Sequence, residues 1–396
     1  MGEQFGDVFD MHLLLLLLAI LNLAVVLATA VQLSISHRSI GKLADQPPLP
    51  DDAGHLPKVS LVVPARNEEK HLESAMRSLL SLDYRPLEII AVDDRSTDRT
   101  GEILDRMAAS DPRLRVVHLT ELPPKWLGKN YALHRGAEHA DGEWLLFTDA
   151  DVLFDPSALK RAMTYLQRNQ LDHLAITPYP CMPGWLLQSF VVMFAMYFSL
   201  FTQMRKVRDP RSSAHIGIGA FNLIRSSAYR EVGGHVGIAM RPDDDLKLGK
   251  QLKKKGFRQD VLHGGELLRV EWYSTLGETI VGLEKNLFAG VEYSVTATVT
   301  ATMAICVFHI WPFIAPAFTT GATRWIYVAV AAILLSLSCS AAAGIKLRKS
   351  CGFGFPLVAA IFVYISWRSM LLALWNRGIR WRDTHYPLAE LRANRV

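Results

Sequence analysis

An α/β domain with a mainly parallel sheet, held between terminal membrane helices, is the architecture this sequence predicts. Three observations predict it. Long uncharged apolar runs stand near both ends, at 11–31 and in three blocks after Tyr293. Between them, short β-rich runs alternate with helical stretches, the signature of strands joined by covering helices. Acidic clusters recur where those strands end, which is where open α/β sheets bind ligands.

The first run, Met11 to Val31, contains no Asp, Glu, Lys or Arg and has the length of about 20 residues that a bilayer-crossing helix needs. A signal peptide is the rival reading, since Ala28-Thr29-Ala30 resembles a cleavage site, but Glu3, Asp7 and Asp10 stand where a signal peptide carries positive charge. The run is therefore read as a retained anchor, residues 1–36. His37, Arg38 and Lys42 follow it, so the positive-inside rule places the N-terminus outside and the central domain in the cytoplasm. The later blocks, roughly 296–320, 325–345 and 355–375, form a membrane region at 293–376, followed by a basic tail at 377–396. Three full crossings would put that arginine-rich tail outside, against the same rule. The block with Pro312 and Pro316 is accordingly read as re-entrant or interfacial. The expected setting is a multi-pass protein of the cytoplasmic membrane.

A proline-rich linker at 37–57 precedes the domain at 58–292. Its strands read as "VSLVV" (59–63), "LEIIAV" (87–92), "LRVVHL" (114–119) and "EWLLFT" (143–148). Leu72, Ala75, Met76, Leu79 and Leu80 keep the period of an amphipathic helix. The stretch "WLLQSFVVMFAMYFSLF" (185–201) is apolar yet short for a span. It reads as a buried core helix or as an interfacial helix over 185–204, and the anchored context favours the second. The tail "RGIRWRDTHYP" mixes arginine with Trp381 and Tyr386, as residues at headgroup depth do.

Glu68, Asp93, Asp94, Asp149 and Asp151 fall at strand ends and should share one sheet edge. In "FTDADVLFDP" an extended chain would point Asp149 and Asp151 the same way, a pairing that suits Mg²⁺ or Mn²⁺. The plainer reading is two solvated acids in a loop. Asp93-Asp94 has a similar alternative, a turn ahead of a helix capped within Ser96 to Thr100. Lys129 in "GKNYAL" begins a helix, a natural place for a phosphate contact, although taken alone it reads first as an exposed lysine. Asp243, Asp244 and Asp245 precede a helix whose other end is basic, which suits the helix dipole, while crowding can raise one carboxyl into the range of a useful base. The glycines of "IGIGAFNLIRSSAYREVGG" admit close ligand approach or serve as turns. A net charge of +5 is too small to argue for nucleic acid. Cys181, Cys306, Cys339 and Cys351 show neither paired nor metal-type spacing.

Taken in order, "VVPARNEE", "VDDRSTD", "GKNYAL", "TDAD", "GAFNLIRSSAYREVGG" and "DDDLKLGKQLKKKG" resemble the family 2 glycosyltransferases, over roughly 58–290. The flanking membrane segments resemble the branch that glycosylates lipids, including ceramide-glucosyltransferase-like, hopanoid-associated and carotenoid enzymes. The resemblance implies a GT-A fold with a Rossmann-like, mainly parallel sheet, and an inverting, metal-dependent transfer of one sugar from a nucleotide-diphospho-sugar to a lipid hydroxyl. It implies that Pro64, Ala65, Glu68 and Asp94 border the nucleoside and that Lys129 lies near the nucleotide. Asp149 and Asp151 would form the DXD motif, with Asp151 holding Mg²⁺ or Mn²⁺ on the diphosphate. Asp245 would be the general base, with Asp244 where the family usually has glutamate. The Gln-x-x-Arg-Trp motif of processive synthases is absent, and the corresponding region reads "VGLEKNLFAG" (281–290), which favours single-sugar transfer. A polyprenyl-phosphate glycosyltransferase and a sugar-nucleotide-binding scaffold without turnover are the alternatives.

Overall fold

The structure, a computed structural model, describes residues 2–48, 56–382 and 384–396, with side chains from residue 11 onward. Residues 49–55 of the expected linker lie outside the described residues. The chain divides into two compact units, one made of 1–38, 182–201 and 273–375, the other of 39–181, 202–272 and 376–396.

The second unit is built on a sheet that has nine strands among the described residues. They are β1 (Gly41–Lys42), β2 (Val59–Ala65), β3 (Leu87–Asp94), β4 (Leu114–Leu119), β5 (Trp144–Phe147), β6 (Val152–Phe154), β7 (His173–Cys181), β8 (Asn222–Arg225) and β9 (Gln259–Glu271). The order is β1-β9-β7-β8-β5-β2-β3-β4, with β6 paired to β9 off this path. The run β5-β2-β3-β4 is parallel, as the alternation predicts. The reversal comes at β8, which runs antiparallel to both β5 and β7.

Burial on both faces explains the near-continuous apolar strands. Leu61, Val63, Ile89 and Ala91 enter one core, while Val62, Ile90 and Val92 enter the core on the other face. The helix Leu72–Leu80 buries Leu72, Ala75, Met76 and Leu79, as its period predicts. Two further strands, β10 (Gly378–Trp381) and β11 (Thr384–Pro387), form an antiparallel hairpin in this same unit. Tyr386 is buried there. The reading of this tail as headgroup-depth residues is corrected accordingly: period-two alternation buries Ile379 and Tyr386 in a protein core.

The first unit contains helices long and apolar enough to cross a membrane, five among the described residues: Met11–Ser39, Gly184–Lys206, Val295–Phe318, Gly321–Gly344 and Lys349–Trp375. The second of these is longer than the sequence reading allowed. Pro312 and Pro316 do not break their block. Val295–Ile305 passes through a π-helical stretch, Cys306–Ile310, into Trp311–Phe318, and that wider turn accommodates the ring and missing N–H of Pro312. Region 281–290 lies in the helix Leu276–Gly290, where Glu284 pairs with Arg368.

Candidate active site

The loops after β2 and β3 are laced together by short polar side chains. Asn67 Oδ1 accepts from Thr97 N–H at 2.8 Å, Thr100 Oγ1 accepts from Glu68 N–H at 2.8 Å, and Asp98 Oδ2 accepts from Glu69 N–H at 3.1 Å. Asn67 and Arg95 take left-handed backbone here. This lacing fixes Glu68 beside the end of β3.

Asp93 and Asp94 close β3 with satisfied carboxylates. Asp93 accepts from Ser96 N–H at 3.2 Å and meets His118 Nδ1 at 3.0 Å, while His118 Nε2 reaches Asp105 at 2.9 Å. These bonds raise the His118 pKa, with Asp93 the larger cause. Asp94 receives the Arg95 guanidinium through two contacts, 2.7 and 3.1 Å, and Arg66 stands 3.7 Å away. A Cβ on Gly128 would meet Asp94 Oδ2 at 2.5 Å, so a glycine is needed for the next helix to start there.

That helix, Gly128–Glu138, carries Lys129 in its first turn. Asn130, fully buried, anchors it by donating to the carbonyls of Ile238, Ala239 and Arg241 at 2.8 to 3.2 Å. Lys129 Nζ lies 2.7 Å from Asp149 and 3.8 Å from Asp244. Burial disfavours its charge, but Asp149, Asp244 and Asp245 outweigh that and raise its pKa.

Asp149 and Asp151 do not lie on one extended strand, contrary to the sequence reading. β5 ends at Phe147, and the two acids occupy the turn that leads into β6. Asp149 is tied to Lys129, and its N–H donates to the Gly219 carbonyl at 3.1 Å. Asp151 Oδ1 is buried with no hydrogen-bond partner among the described residues. Burial, then the charges of Asp149 and Glu68, push the Asp151 carboxyl up to about 7.

The three consecutive aspartates divide their labour. Asp243 is structural, bound by the fully buried Arg241 at 2.9 and 3.0 Å and approached by Lys247 at 3.4 Å. Asp244 and Asp245 open the helix Asp244–Lys254 and face a small recess that Lys129, Thr148, Asp149 and Asn222 also line. Asp245 Oδ2 accepts from Gly219 N–H at 2.7 Å and Oδ1 from Leu246 N–H at 2.8 Å. Burial and then repulsion from Asp244 push Asp245 up to about 7; burial likewise raises Asp244. His235, at the back of the recess, is held neutral by burial, with its pKa down at about 3.

The glycines of "IGIGAF" serve packing more than ligand approach. A Cβ on Gly217 would sit 1.8 Å from the Asp245 carbonyl oxygen, so the Asp245 helix fills that space. Gly219 alone adjoins the site, where a Cβ would come within 2.7 Å of Asp149. Sequence reasoning missed Arg66 and Arg95, whose only signal was adjacency to the acidic motifs, and Gly219, whose role is a backbone N–H.

The carboxylate donors fit a divalent cation. Mg²⁺ commonly takes one or two carboxylates plus substrate phosphates, and the Asp151 oxygen is a buried acceptor that a cation would satisfy. Among the described residues, no three acidic, histidine or cysteine side chains converge as a preassembled metal centre.

Residues 60–233 match the model of the family described as glycosyl transferase family 2. The 4,4'-diaponeurosporenoate glycosyltransferase of Staphylococcus haemolyticus is 28% identical over 237 residues, covering 59% of this chain and 62% of that one. Its Staphylococcus aureus (strain USA300) counterpart is 25% identical over 240 residues, covering 59% and 61%. The match thus spans less than two thirds of either relative's length. A mannosyltransferase from Pyrobaculum calidifontis, solved with GDP-Man and Mn²⁺, aligns over 92% of this chain and all of its own, with a TM-score of 0.54 at 19% identity, a likeness of fold. The strand order, the acids at the strand ends and the family match point the same way: residues 60–233 are similar to a glycosyl transferase family 2 domain.

Proposed function

We propose that the protein transfers a single sugar from a nucleotide-diphospho-sugar to the hydroxyl of a membrane lipid, with inversion and with a divalent metal. The observation that carries this reading is the recess in which Lys129 stands between Asp149 and Asp244 with Asp245 beside it. Lys129, charged and partly neutralised by carboxylates, is placed to attract the donor's diphosphate and to offset charge that builds on the leaving nucleoside diphosphate. Asp245, held by two backbone N–H groups, is placed to take the acceptor's proton as its oxygen attacks the anomeric carbon. Direct displacement inverts that carbon. Mg²⁺ or Mn²⁺, held by Asp151 and Asp149, would supply further charge neutralisation at the phosphates. Glu68 and Asp94 border the nucleoside in this reading, with Pro64 and Ala65 at the end of β2; Asp94 acts there through Arg95 and Arg66, which hold its carboxylate.

The apolar helices favour a lipid acceptor and a membrane setting. In a bilayer, the helix Gly184–Thr202 cannot be a lone crossing, because β7 before it and β8 after it are hydrogen-bonded neighbours. It lies at the interface. By the same argument an even number of the three later helices crosses, since β10 and β11 rejoin the sheet-bearing unit. This keeps the arginine-rich tail on the side of the catalytic domain, the cytoplasmic side by the positive-inside rule.

Lipid extracts from the native host, with wild-type protein or Asp245→Asn, test the proposal by mass spectrometry. A lipid pair differing by one sugar, with the heavier member lost in the variant, supports it. Equal extracts at equal protein levels reject Asp245 as base. The relatives are named for a carboxylate, and a carboxylate or phosphate acceptor is already ionised and needs no base. Full activity of Asp245→Asn would therefore move the acceptor into that class.

A further inference from the structure

The hairpin of β10 and β11 covers part of the edge on which the donor site is built. Arg382 sits at its turn in a left-handed conformation, φ 53°. Turns of this kind favour Asn or Gly, so a long cationic residue there is a costly choice for the backbone. Its guanidinium donates to the Glu68 carboxylate at 2.9 Å and to the Arg66 carbonyl. Four residues on, the buried Tyr386 hydroxyl accepts from Gly128 N–H at 3.4 Å, one position before Lys129. Further along, Asn394 accepts from Met240 N–H and donates to the Gly237 carbonyl, both at 3.0 Å, and Lys250 reaches the Val396 carbonyl at 2.7 Å. The segment is thus fastened from the loop after β2, over the start of the Lys129 helix, to the loop and helix that present Asp244 and Asp245.

We propose that this segment is a strap belonging to the donor site, and that Arg382 is a binding residue for a nucleoside diphosphate, exchanging Glu68 for phosphate when the donor enters. The proposal rests on the glycosyltransferase reading above. An exposed Arg–Glu pair contributes little by itself and is easily exchanged. The planar guanidinium fork suits phosphate oxygens at least as well as a carboxylate. Lys129 and Arg382 then bracket the acidic row Glu68–Asp151–Asp149, which would otherwise repel an anionic donor. Release of Glu68 from Arg382 leaves its carboxylate available to the nucleoside.

The test uses the full chain in detergent micelles, with Mn²⁺ and a panel of UDP, GDP, ADP and dTDP, read by titration calorimetry. Arg382→Ala is expected to weaken the preferred nucleotide about tenfold, the worth of one charge-assisted contact, with Arg382→Lys between it and wild type. Arg380→Ala removes the same charge two residues away on the hairpin and should bind as wild type does. A second reading needs no variant: nucleotide with Mn²⁺ should slow tryptic cleavage after Arg382. Binding by Arg382→Ala equal to wild type, or cleavage unchanged by a nucleotide that binds, overturns the strap while leaving the donor site standing. Failure of every nucleotide to bind the wild type overturns the donor site and the strap with it.

Discussion

Two pairs of acids stand at the ends of two parallel strands, β3 and β5, that flank β2, and they have opposite fates. Asp93 and Asp94 after β3 are satisfied by a serine N–H, a histidine and two arginines. Asp149 after β5 pairs with Lys129, and one oxygen of Asp151 has no hydrogen-bond partner among the described residues. Folding stability favours the first arrangement, because a buried carboxylate without a partner costs free energy. A ligand that completes the second would offset that cost, and under the proposed function this marks Asp149 and Asp151 as the pair a metal would bind.

Replacing Asp245, which stands with the second group, should have the largest effect. Asp245→Asn is expected to lower transfer about a hundredfold or more while nucleotide binding survives, as expected for loss of a general base. In the wild type the rate should fall as pH drops below about 7, where Asp245 becomes protonated and cannot accept a proton. A rate flat from pH 5 to 8 would remove Asp245 from that role.

The comparison sharpens in stability. With a pKa of about 7 in the folded protein against about 3.9 unfolded, Asp151 binds more protons folded than unfolded between those values, so its ionisation erodes stability as pH rises. Asp151→Asn, assayed by thermal unfolding without divalent ions at pH 8, should be more stable than wild type by about 1–3 kcal/mol. Asp93→Asn should do the reverse, losing about 1–2 kcal/mol through the lost charge-assisted contact with His118 while the transfer rate stays near wild type. If Asp93→Asn abolishes transfer, or Asp151→Asn destabilises, the two pairs do not differ as described.

The smallest effect belongs to His118. Its raised pKa means that the folded protein holds the proton more tightly, so this stabilisation is complete below about 6.5 and fades as pH climbs through the folded value. The melting temperature of His118→Gln should fall below that of wild type at pH 5.5 and converge with it at pH 8.5.

Much of this was legible in the sequence because it is local. "LRVVHL" is β4, residue for residue, and the other parallel strands begin within a residue of their expected positions. The acids at strand ends were legible for the same reason, since a strand's end and its following motif are contiguous. The partners were not. That Asp243 turns to Arg241 while Asp244 and Asp245 turn to Lys129 depends on how a helix start packs against a second helix more than a hundred residues away. The reversal at β8 and the contacts that tie 376–396 to Glu68 and Gly128 are likewise of high sequence separation, which local periodicity does not encode. The hairpin carries only a faint signal, an alternation around Arg382-Asp383, and its aromatic and arginine content imitates a membrane boundary.

The return of residues 376–396 also orders the protein's birth. A ribosome makes β2 to β9 first, then roughly a hundred residues of apolar helices, and only then the segment that meets Glu68 and Gly128. A nascent chain halted within 273–375 therefore holds every described strand of the sheet while its acidic edge is still bare. Quality-control proteases and chaperones would encounter that edge uncovered, whereas on a chain that extends through 376–396 it is covered.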